Sequence, residues 1–400
     1  MRRVAITGAG TVNALGRDVA QTLAAMAEGR CAIGPLAFEE VERLSIRIGA
    51  QVADWDETAR FSRQEIALYD RGVQFALTAA REAVAQAGLS LTDAERLRAG
   101  VVMGTGGGGF TTIDDAYRAV HAQGRNRVHP FTIPRLMHSA AASHLAMAHG
   151  LKGPSLTVST ACASSNHAMG QAFQMIASGM TDVMLTGGSE ATLCFGGLKA
   201  WEGLRVMSPD GCRPFCATRN GMVQGEGAAV LVFEDWDRAH ARGAPILAEV
   251  VGFAMTSDAG DIVLPDPDGA ARAMRGAMAM AGLPPEAVGY INAHGTGTAA
   301  NDRSEAQAIR QVFGDTPPPV SSTKSMHGHL LGATGAVELL AVIMALRDGV
   351  LAPTVGHVQA DPDCPIDCIP NVARRARVDA ALSNAFAFGG LNACLALRRV

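Results

Sequence analysis

The sequence predicts an α/β protein made of two similar halves. Short apolar runs alternate with longer amphipathic segments, this alternation starts again near residue 245, and no low-complexity linker interrupts it. Strands that alternate with helices are typical of layered α/β folds, in which helices cover the faces of a sheet. We therefore expect two units, residues 1–245 and 246–400, each with a buried parallel sheet.

The first half begins with a strand at 3–7, which we expect a glycine turn to end. A helix is predicted over 64–87, because apolar residues recur there at helical spacing and Gly88 follows as a stop signal. A second helix is predicted over 163–178, before Gly179. The other strands of this half are predicted at 99–103, 156–160, 182–186 and 228–233.

The second half repeats this plan of strands and helices. Two helices are predicted, at 303–312 and 333–346. The strands of this half are predicted at 246–252, 288–293, 381–386 and 393–397.

Composition and charge exclude several classes of protein. Hydrophobic residues make up 48% of the chain and the net charge is −4, which excludes a disordered chain and an overall basic excess for nucleic-acid binding. No run of 18 apolar residues is present, so no membrane span is expected. Charged residues are only 18%, as expected if another subunit covers one face. The start is no secretory signal and eight cysteines form no dense disulfide framework, so we expect a cytoplasmic protein.

A cysteine lies where a predicted buried strand turns into a helix. Cys162 follows the strand at 156–160 and precedes the helix at 163–178. The free N–H groups and positive dipole end of a helix N-terminus lower the pKa of a thiol and can hold an oxyanion. A buried cysteine can also be an ordinary small core residue. The position therefore indicates either a nucleophile or simple packing.

Two histidines, a lysine and a glutamate are the other catalytic candidates. His294 ends an apolar strand, and Lys324 and His329 precede a long apolar helix that carries Glu338. A single histidine is more often a structural residue. Neutral imidazoles can nevertheless donate hydrogen bonds to a developing enolate or accept a proton, and a lysine near a glutamate can fix such a network. Together with the cysteine these residues predict a catalytic site.

Five motifs carry a family resemblance. They are TACAS at 160–164, NAHGTGT at 292–298, STKS at 322–325, GHLLGA at 328–333 and NAFAFGG at 384–390. In these motifs, their order and their spacing the chain resembles the β-ketoacyl-[acyl-carrier-protein] synthases of the thiolase-like condensing family, most closely the elongating synthase I/II type. The resemblance covers residues 3–399. It implies a thiolase-like fold, an αβαβα sandwich of two similar halves, and a dimer of two copies or of this chain with a related one.

The resemblance implies a 3-oxoacyl-[acyl-carrier-protein] synthase, which extends an acyl chain by two carbons with release of CO2. Cys162 would hold the acyl chain as a thioester. His294 and His329 would bind the malonyl thioester and promote its decarboxylation. The backbone N–H groups of Cys162 and Phe388 would form the oxyanion hole, and Phe388 would also be the gate between the acyl pocket and the thiol.

The resemblance further implies supporting and substrate-binding residues. Lys324 and Glu338 match an ion pair that supports the histidines. Thr296 and Thr298 match hydroxyls that contact the pantetheine arm, and Phe386 is expected on the substrate path. No metal or organic cofactor is implied, because the substrates arrive on the phosphopantetheine of acyl carrier protein and decarboxylation makes the nucleophile in place.

Some positions depart from the pattern of the family. Ala387 and Leu391 replace a glycine and a threonine that relatives often carry in the gate segment, which predicts a stiffer loop. Gly107 and Thr132 stand where elongating synthases often carry larger apolar side chains, which predicts a roomier pocket for long, rigid or partly polar acyl chains. Arg205 is expected to contact the acidic carrier protein.

Four other readings of the sequence stay open. The glycine-rich segment 104–109 fits G-x-G-x-x-G, but it lacks the acidic residue about 20 positions later that a dinucleotide site needs, so a pocket-lining turn is favoured. Cys212 with Cys216, and Cys364 with Cys368, have no strong zinc-ligand spacing. A noncatalytic partner resembling chain-length factors, or a thiolase, would also share the fold, but the first usually lacks the nucleophilic cysteine and the second needs another near the C-terminus.

Overall fold

Ten β-strands form one mixed sheet in the computed structural model, which describes residues 1–400. The strands of the first half are β1 (Val4–Asn13), β2 (Ala99–Gly104), β3 (Ser155–Val158), β4 (Val183–Glu190) and β5 (Gly227–Asp235). Those of the second half are β6 (Ala248–Ser257), β7 (Tyr290–Asn292), β8 (Val320–Ser321), β9 (Ala380–Ala387) and β10 (Leu391–Arg398). Two short ladders pair Gly34–Pro35 with Ile48–Gly49 and Val350–Leu351 with Arg374–Arg375.

Both halves arrange their strands in the same order. The order is β1-β5-β4-β2-β3 in the first half and β6-β10-β9-β7-β8 in the second, and a short antiparallel pairing of β1 with β6 joins them. The predicted similarity of the two halves is therefore confirmed at the level of topology. The predicted boundary at residue 245 lies in the loop before β6, and the division into two domains stays a prediction.

The expectation of parallel sheets is correct only for the outer strands. β2 runs parallel to β3 and β4, but β5 runs antiparallel to both β4 and β1. The second half repeats this pattern: β7 runs parallel to β8 and β9, and β10 runs antiparallel to β9 and β6. Because helices cover both faces of the sheet, parallel and antiparallel strands read alike as continuous apolar runs.

The helices connect the strands and cover the sheet. In the first half they are α1 (Val19–Glu28), α2 (Arg63–Leu68), α3 (Arg71–Gln86), α4 (Asp93–Arg96), α5 (Phe110–Tyr117), α6 (Thr132–Leu136), α7 (Ala140–His149), α8 (Ser164–Ala177), α9 (Phe195–Gly203) and α10 (Trp236–Ala241). In the second half they are α11 (Pro267–Ala281), α12 (Ala299–Phe313), α13 (Lys324–His327) and α14 (Thr334–Asp348). A π-helical turn, Arg118–Ala122, extends α5, and 3₁₀ turns occur at Val41–Arg43, Ala161–Ala163, Pro285–Ala287 and Leu331–Ala333.

Alternate side chains of the central strands pack against different helical layers. In β5, Val230 and Val232 pack with α3 and α7, while Leu231 and Phe233 pack with α8 and α14. In β10, Leu395 joins the same central helices, while the residues on its other face pack with α11 and α12. The result is five layers, αβαβα, with the two buried helices α8 and α14 in the middle.

The first strand is longer than its apolar run indicates. The turn predicted after residue 7 is wrong, because β1 continues through Gly8 and Gly10 to Asn13. A Cβ at Gly8 would lie 2.2 Å from the carbonyl oxygen of Ala83, and one at Gly10 would lie 1.9 Å from that of Ala79. These glycines therefore allow α3 to pack directly on the strand and do not end it.

The helix predicted over 64–87 is two helices. α2 ends at Leu68, the backbone of Tyr69 is extended, and α3 begins at Arg71. The side chain of Asp70 caps α3 by accepting a hydrogen bond from the N–H of Gly72 at 3.0 Å. The apolar periodicity continues across this cap, so periodicity alone does not reveal the break.

Candidate active site

Cys162 lies in a tight turn between β3 and α8. Its neighbour Ala161 has a φ of +48°, in the left-handed region that side chains rarely adopt. The turn is held by the Ser164 hydroxyl, which donates to the carbonyl of Ala161 at 2.6 Å, and by the N–H of Thr160, which donates to Ser164 Oγ at 2.9 Å. A strained backbone held by such contacts is a common feature of functional sites.

The thiol of Cys162 is buried, and this corrects the expectation of a lowered pKa. Burial raises the pKa of Cys162 to about 12, although the charge of Lys324 acts in the opposite direction. The helix N-terminus stabilises the thiolate only locally, while loss of water penalises the whole ion. In the free protein Cys162 is a thiol at neutral pH.

The two histidines come from different loops of the second half and lie side by side. The ring centroids of His294 and His329 are 5.5 Å apart, with the planes at 81°. Glu305 holds the backbone of His294 by accepting its N–H at 2.8 Å, and the N–H of His329 donates to the carbonyl of Val223 at 2.7 Å. Burial, then the charge of Lys324, lowers the pKa of both histidines well below the ordinary value, so both are neutral imidazoles.

A buried ion pair lies behind the histidines. Lys324 Nζ donates to Glu338 Oε1 at 2.6 Å, and both side chains are within 1% of complete burial. Lys324 Nζ also donates to the carbonyl of His294. Burial raises the pKa of Glu338 to about 7, and Lys324 opposes this shift. The predicted pair thus exists, and Lys324 joins it directly to the loop of His294.

One cavity brings together the sulfur and both imidazoles. Cys162, His294 and His329 line a cavity of about 650 Å³, with its open mouth included. Thr296 and Thr298 lie on its wall, with their hydroxyls 2.8 Å apart. Phe386, Phe388 and the segment 263–265 complete its apolar side. A polar end and an apolar wall suit a substrate with both characters.

A second cavity lies on the other side of the sulfur. It has about 560 Å³ and is lined by Gly106, Gly107, Phe110 and Trp201 among others. Cys162 and Phe388 are the two residues that line both cavities. Phe388 thus borders both spaces together with Cys162, and its role as a gate stays a prediction. Gly107 lies on the wall of the second cavity.

The pattern of residues did not reveal Glu190, which organises the second cavity. Its carboxylate accepts hydrogen bonds from the N–H groups of Gly106 at 2.6 Å, Gly107 at 3.1 Å and Gly332 at 3.0 Å. Burial raises the pKa of Glu190 to about 7, against these hydrogen bonds. In the sequence of β4, VMLTGGSE, Glu190 follows small and polar residues, so no local pattern indicates its role. Trp201 and Glu305 were also missed, because both lie within helices and have no distinctive neighbours in the sequence.

Two predicted substrate-binding residues lie outside both cavities. Thr132 lines neither of them in this chain, and its hydroxyl donates to the carbonyl of His129 at 2.7 Å. Its proposed role at the acyl pocket stays a prediction. Arg205 is exposed and precedes Val206, which lines the first cavity.

The structure also shows where the glycine-rich segment and the cysteines of the sequence analysis lie. Gly106 and Gly107 of the glycine-rich segment line the second cavity, as the reading of a pocket-lining turn predicts. All eight cysteines are free thiols, and the structure brings no three histidine, cysteine or acidic side chains together in a metal-binding arrangement. No helix is both long and apolar enough to cross a bilayer.

Comparison with known proteins shows the family to which the chain belongs. Residues 1–239 match the family described as "Beta-ketoacyl synthase, N-terminal domain", and residues 247–358 match "Beta-ketoacyl synthase, C-terminal domain". The chain is 47% identical to "Nodulation protein E" of Rhizobium sp. (strain N33), over 100% of both chains. It is 38% identical to "3-oxoacyl-[acyl-carrier-protein] synthase 2" of Staphylococcus aureus (strain N315), over 100% of this chain and 98% of the relative.

Similarity to solved structures supports the same conclusion. The structure of "The ishigamide ketosynthase/chain length factor" superposes with a TM-score of 0.96 at 35% identity, over 100% of this chain and 99% of that one. The thiolase-like fold and its relatives define the protein as a condensing enzyme of the acyltransferase class. The chain belongs to the β-ketoacyl synthase family. The resemblance identified from the five motifs is confirmed.

Proposed function

We propose that this enzyme extends an acyl chain held on Cys162 by two carbons from a malonyl thioester of acyl carrier protein, in fatty acid, polyketide or polyene synthesis. The observation that carries the proposal is the cavity shared by Cys162, His294 and His329, with a second cavity behind the sulfur. The first cavity suits the malonyl thioester and the second the acyl chain. Holding both substrates against one sulfur is what a condensation requires.

The first step transfers the acyl chain to the enzyme. The Cys162 sulfur bonds to the acyl carbon, the thioester bond to pantetheine breaks, and the thiol proton passes to the departing pantetheine sulfur. Because burial raises the pKa of Cys162 to about 12, the thiol needs a base during the attack. A neutral imidazole in the same cavity can relay that proton. The N–H groups of Cys162 and Phe388 are proposed to hold the oxyanion.

The second step decarboxylates the malonyl group and forms the new carbon–carbon bond. The bond to the carboxylate breaks, CO2 leaves, and the electron pair remains as an enolate whose oxygen is stabilised by His294 and His329. Lys324 and Glu338 support these imidazoles from behind. The enolate carbon attacks the acyl carbonyl, the bond between the acyl carbon and the Cys162 sulfur breaks, and the departing thiolate takes up a proton from solvent water. The product is a 3-oxoacyl thioester.

The acyl chain and the pantetheine arm are assigned to different cavities. Thr296 and Thr298 are proposed to contact the pantetheine arm, because their hydroxyls line the open cavity. Phe386 lies on the same path, with its ring centroid 6.0 Å from that of His294. Gly107 leaves space in the second cavity, which supports long or rigid acyl chains as substrates.

Acyl carrier protein and a second ketosynthase-like chain are the proposed partners. Arg205 is exposed next to Val206 of the first cavity and offers a positive charge to an acidic carrier protein. The edge strand β3 and the exposed apolar residues of the first half, such as Tyr117 on α5, Ile133 on α6 and Met147 on α7, support a covering subunit. We propose a homodimer, with a heterodimer as the second possibility, in the cytoplasm, and no metal or organic cofactor beyond the phosphopantetheine of the carrier.

A noncatalytic partner subunit is the second candidate function. The observation in favour of this role is the similarity of the chain to a structure described as a ketosynthase/chain length factor. Against it, Cys162, His294 and His329 are all present and share one cavity. A subunit without chemistry has no need for this arrangement.

Intact-mass analysis tests the proposed function. The protein is incubated with a panel of acyl carrier-protein thioesters, and the mass added to the chain is measured, with Cys162→Ala as the control. We expect one acyl group on the native protein and none on the variant, followed by a 3-oxoacyl product when malonyl carrier protein is added. A chain that is never acylated would instead support the noncatalytic role.

A further inference from the structure

His329 uses its two ring nitrogens in different ways. Its Nδ1 lies 2.8 Å from the hydroxyl oxygen of Thr334, the first residue of α14. Its Nε2 is buried and has no hydrogen-bond partner in the protein. Because His329 lines the first cavity, Nε2 is the ring atom that remains free to contact a substrate. Which nitrogen carries the proton therefore decides whether His329 donates or accepts there.

The hydrogen-bonding requirement of Thr334 distinguishes the two tautomers. Thr334 is 1% exposed, and its hydroxyl oxygen has a single partner, His329 Nδ1. If Nδ1 carried the proton, the hydroxyl would accept from it, and the hydroxyl hydrogen would be a buried donor without an acceptor. If Nδ1 is bare, the hydroxyl donates to it and is satisfied. The second arrangement avoids the penalty of an unpaired buried donor and places the proton on Nε2.

We propose that Thr334 is a positioning residue that holds His329 as the Nε2–H tautomer, so that His329 donates to the thioester oxygen and does not take up the thiol proton. This inference rests on the proposed function and deepens it. The ring nitrogens of His294 make no hydrogen bond to the protein, and His294 is left to relay the proton of Cys162. The two neighbouring imidazoles thus have different tasks.

His327 gives an internal comparison. Its Nδ1 lies 2.8 Å from the carbonyl oxygen of Gly328, which can only accept, so this nitrogen carries the proton. Its Nε2 lies 2.9 Å from the hydroxyl of Thr323 and accepts from it. A buried histidine two residues away therefore has a similar threonine contact, but it lines neither cavity beside Cys162. Thr323 is the matched control for Thr334.

The test compares Thr334→Val, Thr334→Ala and Thr334→Ser with Thr323→Val in the full-length enzyme. The first readout is long-range ¹H–¹⁵N NMR of the histidine rings without substrate, with His329 assigned by the signal missing from His329→Gln. The second is the rate of CO2 release from malonyl carrier protein. The third is acylation of Cys162 by an acyl carrier-protein thioester.

We expect Thr334→Val and Thr334→Ala to move the His329 proton partly to Nδ1. The kcat of decarboxylation should then fall about tenfold, the size expected for a weakened donor to a developing oxyanion, with little change in KM and in acylation. Thr334→Ser should restore the Nε2–H signal and most of the rate. Thr323→Val should leave both the His329 signal and the decarboxylation rate close to those of the native enzyme.

The opposite spectrum would overturn the proposal. An Nδ1–H signal for His329 in the native enzyme, or an unchanged Nε2–H signal and rate in both Thr334→Val and Thr334→Ala, would exclude a positioning role. If the native enzyme released no CO2 from malonyl carrier protein, the proposed function would fail instead. The NMR spectrum without substrate would still decide the tautomer and the role of Thr334.

Discussion

Trp201 stacks on Phe388, with ring centroids 6.0 Å apart and planes inclined at 28°. Phe388 lines both cavities beside Cys162, and Trp201 lines only the second. Trp201 therefore supports the ring of Phe388 from the side of the second cavity. Such a contact contributes about 1 kcal/mol beyond the burial of the rings.

We expect Trp201→Ala to loosen the packing of the Phe388 ring and to enlarge the second cavity, in which the acyl chain is proposed to bind. Acylation of Cys162 by bulky or branched chains should rise relative to straight short chains, as measured by intact mass after a timed reaction. Trp236 is the control, because its ring packs under Arg3, 3.6 Å from the guanidinium carbon. Trp236→Ala should leave acyl preference as it is. Equal preference profiles for the two variants would contradict a gate held by Trp201.

Gly107→Val should shorten the acyl chains that the enzyme accepts. An added Cβ at Gly107 would lie 3.2 Å from the ring of Phe110 and 3.3 Å from a methyl of Thr192, so a larger side chain must extend into the second cavity. Acylation by long chains should drop about tenfold or more, while acylation by short chains changes little. Gly203→Val is the control, because nothing lies within 4 Å of its Cβ position. An unchanged preference for acyl-chain length would show that the acyl chain does not occupy the second cavity.

Alkylation of Cys162 by iodoacetamide should be slow at neutral pH and accelerate strongly with pH. Burial raises the pKa of the thiol to about 12, so the thiolate fraction rises about tenfold per pH unit between pH 7 and 10. Intact mass with Cys162→Ala as the reference follows this one site. A rate that levels off near pH 7 would show that the helix N-terminus outweighs burial.

The stability of the fold should depend on pH through Glu190. Burial raises the pKa of Glu190 from 4.5 to about 7, so the folded protein holds a proton that the unfolded chain releases between these values. The free energy of unfolding should therefore fall as the pH rises from 4.5 to 7. Urea unfolding of Glu190→Gln should show a weaker fall, and Glu286→Gln, at a solvent-exposed position, should follow the native protein. Parallel curves for all three proteins would argue against this assignment.

Arg205→Glu should weaken the interaction with acyl carrier protein. The reversed charge at this exposed position next to Val206 should raise the KM for malonyl carrier protein about tenfold, with little change for a short pantetheine thioester that lacks the protein. Arg377→Glu reverses the charge of another exposed arginine, outside both cavities, and serves as the control. If both substitutions had the same effect, Arg205 would not belong to the docking surface.

The positions of the proposed catalytic residues could be predicted because each follows a local signal. Cys162 lies between β3 and α8, and His294 follows the end of β7 by two residues, so the pattern of strands and helices locates both of them. Glu190 and Trp201 lack such a signal, because their importance comes from contacts with residues about 80 and 190 positions away. The pKa of Cys162 was predicted in the wrong direction, because the helix end is visible in the sequence and the depth of burial is not.

The repeated strand order has a consequence for the turn that precedes α14. This turn is the counterpart of the one that carries Cys162, and both begin with a left-handed residue, Leu331 and Ala161, each with a φ of +48°. At the position that matches Cys162 the second half has Gly332, where a Cβ would lie 2.2 Å from the backbone nitrogen of Gly106. The internal pseudosymmetry thus creates two equivalent turns that could carry a nucleophile. In the turn of the second half, neighbouring main chain occupies the space that the side chain would need. The reactivity of the protein therefore depends on this difference between the two turns.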